Sequence, residues 1–322
     1  MKRLALLAAV LVLSGCASTA ALPDVTVDTA GPRPVDARDP AVLPTGTAAA
    51  PASCRDARAS LRPAGALPAP GRMPGNSTMA RIAQRGRLVV GVDQNNFRFG
   101  YRDPATGDLV GFEIDLAYEI AAAIFGDRTK VQFRAVTTAE REKAIQDGTV
   151  DIVIRSMTMT CDRWQRVAFS TEYFSAGQAI LVARGAPIRG TKDLAGKKVC
   201  AAAGSTSIRN IAAKIADARP VSGADALDCL VMLQQHQVDA VSTDDAILAG
   251  FAAQDPSTVV LPERFTKEPY GMAIKKESPD LVRFVNGVLE RVRADGTWTR
   301  LYDKWLSALG RTPQPPAARY QD

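Results

Sequence analysis

The stretch VDIVIRSMTMTCDRWQR, residues 150–166, sets the reading of this chain. Val150, Ile152, Val153 and Ile154 form a short β-branched run, the composition of a buried strand. Hydroxyls follow at alternate positions, on Ser156, Thr158 and Thr160. The pattern then changes, and a short helix is predicted to begin near Cys161–Asp162 with Arg163 in its first turn. A strand end rich in hydroxyls, a helix start and a cation are thus predicted to share one corner.

Working outward, strands and helices alternate. RLVVGVD (87–93) and VQFRAV (131–136) read as strands, and DPATGD (103–108) is dense turn chemistry. GFEIDLAYEIAAAIFG (111–126) carries apolar residues at helical spacing and ends at Gly126. TTAEREKAIQDG (137–148) reads as a helix between Thr caps and a Gly, and VDIVIRSMTMT (150–160) as the next strand. The second half repeats the style. Strands are predicted at 197–204, 238–245 and 270–276, and helices at 205–216, 224–237 and 278–296, while TWTRLYDKWL (297–306) closes the chain with aromatic anchors. Such alternation predicts an α/β fold with layers around a largely parallel sheet.

The front of the chain reads differently. Lys2 and Arg3 precede the apolar run LALLAAVLVL (4–13), the pattern of a signal peptide. That run is short for a membrane span, which takes about 20 apolar residues. It ends in LSGC (13–16), which resembles a bacterial lipobox. The match implies cleavage after residue 15 and acylation of Cys16, and two or three acyl chains anchor stably. Residues 16–77 are rich in Pro and Ala, hold almost no aromatics and show no sustained period, so a flexible tether is expected there. Without Lys2 and Arg3 the formal charge of +6 falls by two, to +4, and no Lys/Arg run remains to indicate a nucleic-acid partner.

Cys54, Cys161, Cys200 and Cys229 remain besides Cys16. In an exported chain this even number points to two disulfides, for which the sequence alone allows three pairings. Cys200–Cys229 is favoured, because the strand KVCAA and the helix ALDCLVML could be neighbours within one half of the fold; Cys54–Cys161 is then left. One histidine, His236, in a polar QQHQ stretch and the lack of C-x-x-C give no basis for a zinc site, and no cofactor is indicated.

Several motifs together carry a resemblance. GFEIDLAYEIAAAI (111–124), VDIVIRSMTMTCDRWQRVAFSTEYF (150–174), KDLAGKKVCAAAGSTS (192–207), QVDAVSTDD (237–245), YGMAI (270–274) and DGTWTRLYDKWL (295–306) occur in the order found in family 3 of the bacterial extracellular solute-binding proteins. With the lipobox and tether, the whole is similar to an actinobacterial glutamine/glutamate-binding lipoprotein. The resemblance covers about 85–308. It implies a two-lobed, periplasmic-binding-protein-like type II clamshell with two hinge strands. Lobe 1 would comprise 78–173 and 270–309, lobe 2 would comprise 178–265, and 310–322 would be a tail. It also implies ligand-driven closure, no reaction on the ligand, and delivery of a polar amino acid to an ABC permease at the extracytoplasmic face of the cell membrane. Monomer is the default state.

The residues of the proposed site fit that chemistry. Removing an α-carboxylate and an α-ammonium from water is costly unless each is paired and hydrogen-bonded. The resemblance implies that Arg163 grips the carboxylate, as a planar guanidinium can, and that Ser156 and Thr158 contact the two groups; without it, a structural ion pair explains Arg163 as well. Asp244 matches the acidic partner for the ammonium, with Asp245 as competitor and a helix N-cap as the plain alternative. Asp93 ends the first strand at a position that contacts ligand in some members. Ser205 and Thr206, with Ser207, sit at a helix start that can bind an anionic or amide side chain or simply be capped. Asn96 and Thr138 stand where many members place two aromatic rings around the ligand, with Phe99 nearby. Ala202 stands where some glutamine binders have lysine, and Arg155 is an additional cation. Phe97 and Arg98 are further wall candidates. The expected ligands are glutamate, glutamine, aspartate and asparagine. Sensing through a membrane receptor uses the same closure and is the alternative to transport. Catalysis would need an acid or base poised in the cleft, and no nucleophile motif is visible.

Overall fold

The computed structural model describes residues 31–43 and 53–322. The expected signal peptide, Cys16 and part of the expected tether lie outside these residues. Among the described residues, no helix is long and apolar enough to cross a membrane.

Each lobe is built on a five-stranded sheet. In lobe 1 the strand order is Val131–Ala135, Leu88–Val92, Ile152–Ile154, Ala273–Ile274 and Ala168–Phe169. The first three run parallel, and Ala273–Ile274 returns antiparallel between its two neighbours. In lobe 2 the order is Arg219–Gly223, Lys198–Ala202, Ala240–Asp244, Gln178–Ala183 and Thr258–Val260. Again three strands are parallel, with Gln178–Ala183 antiparallel to both neighbours. The β-branched runs explain these central strands, which are covered on both faces. Two antiparallel strands, Phe174–Ala176 and Glu268–Tyr270, connect the lobes.

The helix Phe112–Phe125 buries Phe112, Ile114, Leu116, Ile120 and Ile124 against the lobe 1 sheet. Pro279–Ala294 and Thr297–Leu306 complete that layer, with Trp298 and Tyr302 as aromatic anchors. Lobe 2 holds one apolar cluster around Leu230, Leu233, Leu248 and Phe251 and another around Ile180, Ile208 and Ile211. The helix expected over 137–148 is confined to Arg141–Gln146, because residues 137–140 form a turn in which Glu140 accepts from the backbone N–H and hydroxyl of Thr137. The strand expected over 150–160 stops at Ile154, because Ser156 adopts φ +41°.

The described parts of the expected tether are docked, which corrects the flexible reading. Residues 53–77 lie on lobe 1. Ser60 is fully buried and donates to the Phe169 carbonyl at 2.6 Å, while Asn286 donates to Ser60 and to the Leu61 carbonyl. Leu61, Leu67 and Met73 pack on the lobe 1 core, so a few unpatterned apolar residues suffice. On lobe 2, Arg38 pairs antiparallel with Ser222 at the sheet edge. The C-terminal tail is anchored too, with Arg62 over the Tyr320 ring at 4.5 Å. The pairs Cys54–Cys161 and Cys200–Cys229 are both disulfide-bonded, each with a Cα–Cα separation of 5.4 Å.

Candidate functional site

The parallel strands of both lobes aim their carboxyl ends at one cleft, the place where open α/β sheets bind ligands. Asp93 follows Val92, Arg155 follows Ile154, and Ala202 and Asp244 end their strands. All four line the cleft, with Ser156, Thr158, Arg163, Ser205 and Thr206.

At one end stands Arg163, 1% exposed, on the short helix Cys161–Trp164. Its Nη1 donates to the Thr158 carbonyl at 2.7 Å, and its Nε lies 3.4 Å from Glu142. Burial, with the nearby Arg209 charge, pulls its pKa down to about 10, which leaves it cationic at neutral pH. Asp244 acts electrostatically on Arg163. The Asp244 Oδ2 accepts from the Tyr270 hydroxyl at 2.6 Å, whereas its Oδ1 is buried with no partner. Burial pushes this carboxyl well above the usual range, and the Glu268 charge adds to the rise. Asp245, the competing candidate, pairs with Arg264 and accepts from the Gly177 N–H, outside the cleft.

Glu268, in the second connecting strand, gathers hydroxyls from both lobes. Its Oε2 accepts from Thr158 at 2.7 Å and Thr206 at 2.9 Å. The Thr158 proton is therefore engaged, and the lone pairs of its oxygen remain. Ser205 caps the helix Thr206–Lys214: its hydroxyl accepts from the Ile208 N–H and donates to the Ala202 carbonyl. The backbone N–H groups of Thr206 and Ser207 belong to the first turn, which lacks intrahelical acceptors. Gly204, just before, has φ +73°, and a Cβ there would fall 2.9 Å from the Ala139 Cα of lobe 1. Only glycine permits this approach of the two lobes.

The other end is a network of charges. Arg155, 4% exposed, donates to Thr138 at 2.8 Å and pairs with Asp225 at 2.6 Å and Asp93 at 3.0 Å. Asp225 is the N-cap of Ala226–Gln234 in lobe 2, so this ion pair joins the lobes. Burial raises the Asp93 pKa against the opposing pull of Arg155. Glu113 receives the Ser156 N–H at 2.6 Å, the Ser156 hydroxyl at 3.0 Å and the Tyr173 hydroxyl at 2.5 Å. These bonds fix Ser156 in its positive-φ conformation, which costs on the order of 1–3 kcal/mol for a residue other than glycine.

The structure thus brings together Asp93, Arg155, Ser156, Thr158, Arg163, Ser205, Thr206 and Asp244. Phe99 is fully buried in the lobe 1 core, edge-on to Phe174 at 5.2 Å, and does not reach the cleft. The hairpin Asn95–Asn96 and Gly100–Arg102 turns it inward. Phe97 and Arg98 also leave the cleft; they line a separate groove with Gly250 and Leu309. Asn96 and Thr138 do line the cleft, so the positions without aromatic rings form polar walls. The sequence reading missed Arg141, Asp225 and Phe251. Arg141 is buried and donates to the carbonyls of Thr138, Arg155 and Ser156, holding the strand end in shape. Asp225 was legible only as a helix-starting acid after a strand. The cleft offers paired donors and acceptors at both ends, and among the described residues no group of His, Cys, Asp or Glu could hold a metal.

Comparison with known proteins agrees with this geometry. The sequence profile of the bacterial extracellular solute-binding proteins, family 3, matches residues 88–308. An ABC transporter glutamine-binding protein, GlnH, of Bacillus subtilis (strain 168) is 37% identical over 230 residues, covering 71% of this chain and 84% of its own length. A glutamine-binding protein of Geobacillus stearothermophilus is 40% identical over 205 residues, covering 63% of this chain and 78% of its own. The solved structure of an ancestral arginine-binding protein bound to glutamine superposes with a TM-score of 0.63 at 37% identity, covering 69% of this chain and 98% of its own.

Proposed function

The chain belongs to family 3 of the bacterial extracellular solute-binding proteins, and on that premise we propose that it is the receptor for a polar amino acid of the glutamine/glutamate class. It would bind the free amino acid between its lobes and hand it to an ABC permease. The observation that carries the reading is the pairing of Arg163 with Asp244 in one buried cleft, one from each lobe. Arg163 and the first-turn N–H groups of Thr206 and Ser207 suit an α-carboxylate. The unpartnered Oδ1 of Asp244 and the Thr158 oxygen, both acceptors, suit an α-ammonium. Transport rather than another use of binding is supported by the relative named as an ABC transporter protein. The same reading makes the chain a monomeric receptor held at the extracytoplasmic face of the membrane by lipid on Cys16.

Calorimetric titration of the purified chain with the twenty amino acids tests this. Polar amino acids should bind, and Arg163→Ala should weaken them by about a hundredfold, as expected when one partner of a buried charge pair is removed. Arg163→Lys, which keeps the charge and loses the planar fork, should fall between the two. Equal binding by all three proteins would exclude Arg163 as the carboxylate anchor.

A further inference from the structure

We infer that the end of the cleft away from Arg163 is built for a neutral primary amide, so that glutamine- or asparagine-type ligands are preferred over the corresponding acids. This rests on the amino-acid reading above and adds to it which side chain is taken.

The argument starts with the orientation of one amide. The Ser156 hydroxyl donates to Glu113 Oε1 at 3.0 Å, so its proton is engaged and it can only accept from Asn96. The Asn96 Nδ2 accordingly donates to Ser156 at 3.3 Å, and this fixes Asn96 with its oxygen turned away. That oxygen is buried and has no hydrogen-bond partner, although Asn96 is only 3% exposed. Arg155 shows the complementary feature. Its Nη1 and Nη2 are engaged by Thr138, Asp93 and Asp225, and its Nε is buried with no partner. Asn96 and Arg155 both line the cleft, so a residue with a lone acceptor and a residue with a lone donor stand in the same wall.

A carboxamide carries an acceptor oxygen and a donor nitrogen on one carbon, and so is the side-chain group that complements such a pair. A carboxylate carries only acceptors and would set an oxygen against the Asn96 oxygen. Charge points the same way. Arg155 is already shared between two carboxylates, one from each lobe, so it offers a third no uncompensated charge. A cationic side chain would meet the Arg155 Nε–H. Asp225 is thus the residue that turns an arginine-containing cleft away from acids.

The test is calorimetric titration of the wild-type chain and two variants with glutamine, asparagine, glutamate, aspartate, arginine and lysine. In the wild type an amide should bind at least about tenfold tighter than its acid or either cationic amino acid, because a site with matched polar groups rejects analogues that leave them unpaired. Asp225→Asn keeps an N-cap residue and releases Arg155 from one carboxylate, so the acid-to-amide affinity ratio should rise by about tenfold or more. Asn96→Ala should lower amide affinity more than acid affinity. An acid or a cation binding the wild type as tightly as the amides would overturn the inference, and so would ratios unchanged in both variants. Thermal melts establish that the variants fold, and the wild-type ratios decide the matter if either does not. Failure of every amino acid to bind would overturn the receptor reading, and the side-chain inference would fall with it.

Discussion

Asp244 is the side chain through which the site should respond to pH. Burial holds its carboxyl well above the usual range, so the empty cleft keeps this proton at pH values where a free carboxylate has lost it. An ammonium placed against the unpartnered Oδ1 lowers that pKa again. Ligand binding below the empty-site value therefore expels a proton. Affinity should be full above that value and fall as pH drops through it, by up to about tenfold per pH unit. Calorimetry in buffers of different ionisation enthalpy should detect the released proton, and Asp244→Asn should abolish it; affinity independent of pH would remove Asp244 from the ammonium site. The empty protein behaves in the opposite sense. Asp93, Glu113 and Asp244 are all raised by burial, so the folded state binds more protons than the unfolded one, and stability is lost as pH rises from the ordinary carboxylate value through the raised ones. At this scale Arg163 and Asp244 were legible as cleft residues through the resemblance, which matched one at a helix start and the other at a strand end. Phe99 was not, because a single aromatic in the turn between two short hairpin strands has no period from which to read its face. Arg155 was legible as a cation but not as a neutralised one, since Asp225 reaches it from the other lobe.

Between residue and molecule lies the helix Cys161–Trp164, which holds Arg163. One turn cannot be stable by itself. It is fastened by the Thr160 cap, by the Cys54–Cys161 disulfide and by the Trp164 Nε1 donating to the Ala57 carbonyl at 2.8 Å. The segment read as a loose tether therefore supports the helix that carries Arg163, the proposed carboxylate anchor. Replacing both cysteines, Cys54→Ser with Cys161→Ser, should lower stability by about 2–5 kcal/mol in urea denaturation. It should also weaken amino-acid binding by roughly threefold to tenfold, as Arg163 loses part of its support. Replacing Cys200 and Cys229, which join a strand to a helix of lobe 2 away from Arg163, should lower stability with a smaller effect on affinity. Equal effects on affinity would mean that the N-terminal segment does not position the helix. Long elements such as Phe112–Phe125 were legible within a residue or so, because many periodic apolar residues determine them. The docking of 53–77 was not legible, because it depends on a few contacts with distant parts of lobe 1.

At the scale of the whole molecule, the two connecting strands and Glu268 bring the lobes together, and close contacts between lobes should limit how far they shut. Gly250 marks one such contact. It lies in the lobe 2 helix Asp245–Gln254, and a Cβ there would sit 3.1 Å from the Phe97 carbonyl oxygen and 3.5 Å from its Cβ, in lobe 1. A leucine would act as a wedge in the closed form alone. In a parted form the neighbour is gone, and leucine is a better helix residue than glycine by about 0.5–1 kcal/mol. Gly250→Leu should therefore keep or raise the melting temperature of the empty protein while weakening amino-acid binding by about tenfold or more, since each tenfold corresponds to about 1.4 kcal/mol. Small-angle scattering should show less ligand-induced compaction in the variant than in the wild type. Unchanged affinity and compaction would mean that binding does not draw Phe97 and Gly250 together. A loss of affinity with a matching loss of stability would mean that the glycine serves the fold. Only weakened binding in an equally stable protein ties the contact to closure, because the Cβ position at Gly250 meets Phe97, which lines a separate groove and not the cleft.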